Sequence, residues 1–379
     1  MQHPLPLVVF SHLRWDFVYQ RPQHLLSRIG TRRRVLFIEE PVPGSGSSRW
    51  ERTEASPGVS VFRAHTPVQS HGYSEEQLSV LLGMVRDLVH AEAAEGGIAW
   101  MYTPLALPLL GALRPSATVY DCMDELSLFL HAPPQLLPRE EALLRRADVV
   151  FTGGPSLYEA KRHRHANIHC FPSSVDAEHF RSAVPEPADQ AGLSRPRFGF
   201  YGVIDERIDL PLLDALAERH PEWQIVMVGP VVKIDPATLP RRPNIHWLGQ
   251  RSYDELPGYL AGWDVCLLPF ARNDATRFIS PTKTLEYMVR ERPIVSTPIT
   301  DVAVPYRDIV YLGGSPAEFV AACEAALESS AAERARRALA MRQVLARTSW
   351  DATAAAMEQL IEEALCRAGT RVPLAAQAS

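Results

Sequence analysis

Short apolar runs alternate along this chain with longer stretches whose apolar positions recur at helical spacing, the pattern of parallel strands linked by helices. In the first half the runs at 5–10, 35–38, 59–64, 99–102, 118–121, 149–152 and 168–171 predict strands, and the periodic stretches 23–29, 75–94 and 139–146 predict crossover helices. Residues 184–196 (VPEPADQAGLSRP) have no period and are rich in proline, alanine and polar residues, as in a linker. A second series follows, with strands expected at 197–201, 224–228, 245–248, 265–268, 294–296 and 309–312 and helices at 210–219, 253–262 and 281–289. The Ala/Glu/Arg-rich region 315–347 predicts a helix broken near Ser329 and Ser330, and 350–367 predicts a closing amphipathic helix. The expected fold class is α/β, with two tandem doubly wound, Rossmann-like domains at 1–180 and 197–349 and a linker at 181–196. The helix 350–367 is expected to cross back to the first domain, leaving a frayed tail at 368–379.

Composition narrows the function classes. A chain of 379 residues exceeds one ordinary core, and 46% apolar with 22% charged residues describes a soluble globular protein. Its 39 basic and 44 acidic residues leave a net charge of −5, so no nucleic-acid partner is expected. Five scattered cysteines without CxxC spacing suggest neither a disulfide framework nor a zinc site, which fits a reducing cytoplasm. No window approaches the roughly 18 apolar residues of a membrane span, so any membrane contact is expected to be peripheral; the runs Arg32 to Arg34 and Arg162 to His165 read first as solvated charge and otherwise as an anionic-surface contact. The turn after the first strand, FSHLRWDFVYQRPQHLL, lacks GxGxxG, and no dinucleotide cofactor is expected.

The candidate chemistry concentrates at 273–298, NDATRFISPTKTLEYMVRERPIVSTP. Pro281 suits a first helical turn with Ser280 as its N-cap, and Thr282 and Lys283 follow where free N–H groups and a positive charge favour an anion. Glu286 lies on the same helical face, placed either to accept hydrogen bonds from a ribose diol or to form an i,i+3 surface pair with Lys283 on a capped amphipathic helix. In the earlier turn YGVIDERIDLP, Gly202 permits close backbone approach and Arg207 either clamps a phosphate or pairs with Asp205 or Glu206. Gly229 would line the same crevice. Two cations aimed at one diphosphate would neutralise a leaving group without a metal.

The first domain offers a polar edge of its own, with His12, Arg14, Asp16, Gln20, Arg21 and His24 as acceptor-binding candidates. In VYDCMDE, Asp121, Asp124 and Glu125 either orient sugar hydroxyls and act as a base or cap a helix. The turn FTGGPS at 151–156 has the form of an anion nest or of a simple chain reversal.

The second domain resembles the GT-B fold, family 4 (group 1) glycosyltransferases in the segments YGVIDER, MVGP, NIHWLGQRSYDELPGYLAGWDVCLLPF and SPTKTLEYM followed by RPIVSTP. HLRWDFVYQRPQHLL, VLFIEEP, VYDCMDE and FTGGPSLYEAK resemble a bacterial subgroup near teichuronic-acid and other cell-surface polysaccharide transferases. The resemblance implies retaining, metal-independent transfer from a nucleotide-diphospho-sugar to a glycan or lipid-linked acceptor, at the cytoplasmic face of the inner membrane. It implies that Arg207 and Lys283 bind the donor diphosphate, that Glu286 accepts from the ribose, and that the turn at Gln250 lies near the base. A first glutamate of the family motif would fall on position 278, where this chain has Phe278, leaving Asn273, Thr276 or the backbone near Ser280 to hold the donor sugar. Where many relatives carry histidine, this chain has Met123, which passes acceptor or sugar contacts to Asp121 or Asp124. Two rival readings are a GT-B sugar-nucleotide epimerase and a non-catalytic nucleotide-sugar-binding subunit.

Overall fold

The computed structural model describes residues 4–370. Among these residues the first sheet has nine strands: β1 (Leu7–Ser11), β2 (Val35–Glu39), β3 (Val42–Pro43), β4 (Arg49–Ser56), β5 (Val59–Thr66), β6 (Ile98–Met101), β7 (Ala117–Cys122), β8 (Val149–Thr152) and β9 (Ile168–Cys170). Their order is β3-β5-β2-β1-β6-β7-β8-β9, all pairs parallel except β4, which runs antiparallel on β5. The second sheet has six parallel strands, β10 (Arg197–Tyr201), β11 (Gln224–Val228), β12 (Ile245–Gly249), β13 (Val265–Leu268), β14 (Ile294–Ser296) and β15 (Tyr311–Leu312), ordered β12-β11-β10-β13-β14-β15. Central strands such as β1 and β10 are buried on both faces, which explains their unbroken apolar runs.

Both sheets reverse direction next to their first strand, between β1 and β6 in one and between β10 and β13 in the other. In doubly wound sheets the carboxyl ends at such reversal points line the ligand crevice. The turns after β1, β10 and β13 are therefore the ones to search.

Two features differ from the pattern read along the chain. Strand β4, RWERTEAS, was not anticipated because it is exposed along most of its length and has no apolar face. The linker is not loose: it contains the short helix Ala188–Ala191, and buried Gln190 accepts from Trp263 Nε1 at 2.7 Å and donates to the Tyr259 carbonyl at 3.0 Å. These bonds build it into the second domain. The region 315–347 divides at the expected break, into Pro316–Leu327 and Ala331–Leu345, with Ser330 accepting from the Glu333 N–H as a new N-cap.

The last helix runs Trp350–Thr370, and Trp350, Ala354, Met357, Ile361 and Ala364 share one core cluster with β1, β2 and β6 of the first sheet. Arg28 Nε donates to Asp351 at 3.0 Å, and Arg32 and Arg33 pair with Glu358 and Glu362 on the same helix. Of the expected tail at 368–379, residues 371–379 lie outside the described residues.

Candidate active site between the two sheets

On the second-domain wall, backbone space comes before charge. Gly202 (φ +137°) and Gly229 (φ +149°) follow β10 and β11 in a conformation that side chains rarely adopt. A Cβ on Gly229 would lie 1.8 Å from the Gly202 carbonyl oxygen, and one on Gly202 would lie 2.1 Å from Lys283 Cε. The aliphatic stem of Lys283 thus lies across bare backbone, with Nζ 5.6 Å from the centre of the Phe200 ring. Burial lowers the Lys283 pKa, an effect that the Glu286 charge opposes.

Glu286 is 7% exposed and its Oε2 accepts from the Tyr201 hydroxyl at 2.7 Å. Burial pushes its carboxyl up to about 7, against the pull of the Tyr201 bond and Lys283. Arg207 reaches the same cleft but is held by Asp205, Nε to Oδ1 at 2.9 Å and Nη2 to Oδ2 at 2.7 Å. Its guanidinium also lies 5.4 Å from the Phe129 ring of the first domain. A diphosphate would share Arg207 with Asp205 while meeting Lys283 free of any carboxylate ion pair among the described residues.

The helix carrying Lys283 begins later than its sequence suggests. It spans Lys283–Val289, and Thr282 holds the N-cap position without a side-chain bond, so Ser280 caps nothing and Pro281 lies before the first turn. The Thr284 and Leu285 N–H groups donate to the Pro281 and Thr282 carbonyls, which tightens the approach into a turn. A helix this short supplies little dipole, so the side-chain cation carries the anion affinity. Ser280, Pro281 and Thr282 still line the cleft.

Asn273 does not line it. Its Oδ1 accepts from the Thr276 N–H at 3.1 Å and its Nδ2 donates to the Glu206 carbonyl at 2.8 Å, while the Thr276 hydroxyl is bound within the same turn. Neither can replace a sugar-binding glutamate. Phe278 packs against the first-domain core, with the Arg277 guanidinium 5.2 Å from its ring, and so serves the contact between domains. Gln250 lines the cleft and donates from Nε2 to the Phe17 carbonyl across it.

The first-domain wall is mostly committed to structure. Arg21 and Asp121 form a buried pair, Nη2 to Oδ1 at 2.9 Å and Nε to Oδ2 at 3.0 Å, and Arg21 Nη1 donates to the Phe171 carbonyl at 2.7 Å. Asp121 is fully buried, which removes it as a base, while Arg21 still borders the cleft. Arg14 is bound to Glu39 at 3.0 Å, and Asp16 is exposed beside Arg63 at 3.3 Å. His24 stacks on Trp350 at 4.7 Å, and burial and Arg28 push its pKa down to about 3. His12 is held down to about 4 by burial and by Lys233. None of these four lines the cleft: Glu39 holds Arg14, Trp350 holds His24, Asp16 stands in solvent beside Arg63, and His12 is half-buried. Gln20 borders the cleft while capping the helix Arg21–Gly30.

Among the three clustered acids, Asp121 is taken by Arg21 and Glu125 pairs with Lys161 at 2.6 Å. Asp124 alone lines the cleft, facing Arg207 and Arg21, and burial pushes it up to about 6. The arginine runs are neutralised as well: Arg32 and Arg33 by the last helix, Arg162 by Glu159 at 2.8 Å, and Arg164 by Glu140 at 2.9 Å. No helix among the described residues is long and apolar enough to cross a membrane.

Tyr253 was missed by sequence reading, since an aromatic in a polar turn carries no signal. It is stacked between Tyr19 at 4.4 Å and His179 at 4.0 Å, and it lines the cleft beside Glu286.

The cleft lies between the carboxyl ends of two doubly wound sheets, with Lys283, Arg207 and Glu286 on one wall and Asp124 and Arg21 on the other. This arrangement is the GT-B architecture. Sucrose-phosphate synthase from Thermosynechococcus elongatus has the same fold, with a TM-score of 0.74 at 15% identity over 96% of this chain and 100% of that one. So has the E. coli trehalose-6-phosphate protein bound with UDP-2-fluoro glucose, at 0.69 and 14% over 95% and 99%. Residues 195–329 match the family model Glycosyl transferases group 1. The chain is 25% identical over 298 residues, 73% of its own length and 74% of the relative's, to TuaH of Bacillus subtilis (strain 168), named as a teichuronic acid biosynthesis glycosyltransferase. The chain has the GT-B fold and is a glycosyltransferase whose residues 195–329 resemble the group 1 enzymes.

Proposed function

We propose that this enzyme transfers a sugar, with retention and without a metal, from a nucleotide-diphospho-sugar to a polysaccharide or lipid-linked acceptor in cell-envelope glycan synthesis. The convergence of Lys283 and Arg207 on the cleft beside Glu286 carries this reading, because two cations and a diol acceptor match a nucleoside diphosphate. The envelope role is supported by the likeness to TuaH, and a UDP-sugar donor by the UDP-2-fluoro glucose bound to the E. coli structure.

In this reading the donor C1–O bond breaks as the acceptor hydroxyl bonds to C1 on the same face. The hydroxyl proton passes to the leaving phosphate oxygen, whose charge Lys283 and Arg207 neutralise. Asp124, the acid of the first-domain wall, orients hydroxyl groups of the sugar or acceptor.

Calorimetry and thermal shift with UDP, GDP, ADP and their sugar conjugates test it. One nucleotide series should stabilise the wild type and not Lys283→Ala; stabilisation by none of them would overturn the donor site.

A further inference from the structure

The glycine turn at 151–156 is not a site for an external anion, because the protein fills it with a carboxylate of its own. Asp301, in the short helix Thr300–Ala303 after β14, accepts from the Ser156 N–H of the first domain through Oδ1 at 3.0 Å. A Cβ on Gly154 would lie 2.3 Å from Asp301 Oδ2 and 2.8 Å from Ser280 Cβ. One on Gly153 would lie 2.3 Å from the Met123 carbonyl oxygen. Met123, Gly153 and Ser280 all line the cleft, so bare glycine backbone connects one wall to the other.

We infer that Asp301 is a positioning residue: seated on the glycine turn of the first domain, it holds the 280–283 donor loop against the acceptor wall. This rests on the nucleotide-sugar reading only for its catalytic consequence. Asp301 is 5% exposed and burial raises its pKa, a rise opposed by Ser156 through its hydroxyl and its N–H. A buried carboxylate held by one serine and no cation among the described residues is a costly way to stabilise a fold, and a contact that keeps one needs another reason. Alignment supplies that reason. Lys283 lies three residues from Ser280, and a displacement near 1 Å costs on the order of 100-fold in rate.

Asp301→Ala and Gly154→Ala attack the contact from its two sides. Each should leave nucleoside diphosphate affinity within about two-fold of wild type and lower donor-sugar turnover about 100-fold. X-ray scattering of the ligand-free variants should give a larger radius of gyration than the wild type. Asp301→Asn keeps the acceptor for Ser156 N–H and should restore most of the turnover. Wild-type scattering and turnover in both alanine variants would overturn the inference, as would an affinity loss equal to the turnover loss. If Asp301→Ala fails to fold, Gly154→Ala decides. If the wild type binds no nucleotide, the parent reading fails, while scattering still decides whether the contact holds the domains together.

Discussion

The two walls of the cleft are built from the same parts, a strand end, a turn and a helix start, yet their polar side chains have different fates. On the second-domain wall Gly202 and Gly229 clear space, and Lys283 crosses it to reach the cleft without a carboxylate partner within ion-pair distance among the described residues. On the first-domain wall the equivalent positions carry side chains that find each other first: Arg21 with Asp121, Arg14 with Glu39, His24 with Trp350. A polar residue after a strand is therefore free for a ligand only where the backbone leaves room and no neighbour satisfies it. Arg207 lies between the two cases, held by Asp205 yet bordering the cleft.

If this contrast is right, first-domain substitutions cost stability and second-domain ones cost binding. The largest effect is expected from Asp121→Ala, which leaves Arg21 buried without its counter-charge and should lower unfolding free energy by about 3–5 kcal/mol in urea titration. A loss under about 1 kcal/mol would mean that the pair is solvated and the wall is open.

Next comes Lys283→Ala, expected to weaken nucleoside diphosphate binding about 100-fold by calorimetry, since charge-assisted bonds contribute up to about 3 kcal/mol. Unchanged affinity would move the diphosphate away from this wall.

Glu286 gives a smaller, pH-resolved test. Its folded pKa of about 7 lies above the ordinary 4.5, so its favourable contribution is complete below pH 4.5 and is lost as pH rises through 7. Glu286→Gln does not titrate and should gain on the wild type by about 1 kcal/mol per pH unit across that window. A pH-independent difference would mean an unburied carboxylate. The smallest effect belongs to Asp16→Ala, where an exposed pair with Arg63 should contribute below about 0.5 kcal/mol to stability and nothing to nucleotide affinity.

Much of the fold was legible because both sheets are parallel and buried, so each central strand is an unbroken apolar run, as in β1 and β10. Strand β4 escaped because exposed residues have no burial pattern to follow. The second-domain wall was legible in part because glycine, lysine and glutamate at strand and helix ends have few other uses. The first-domain wall was not, since choosing between a ligand and a partner for Arg21 requires knowing that Asp121, one hundred residues away, stands beside it.

The sequence by itself determined the alternation of strands and helices, the two tandem domains and the second-domain motifs that point to a diphosphate, because local periodicity and backbone freedom are written residue by residue. Only the tertiary structure decided that Ser280 caps no helix, that Phe278 belongs to the domain contact, that Asp124 rather than Asp121 borders the cleft, and that Asp301 fills the glycine turn. Those outcomes depend on which groups are desolvated together, and burial is a property of neighbours that are distant in the chain.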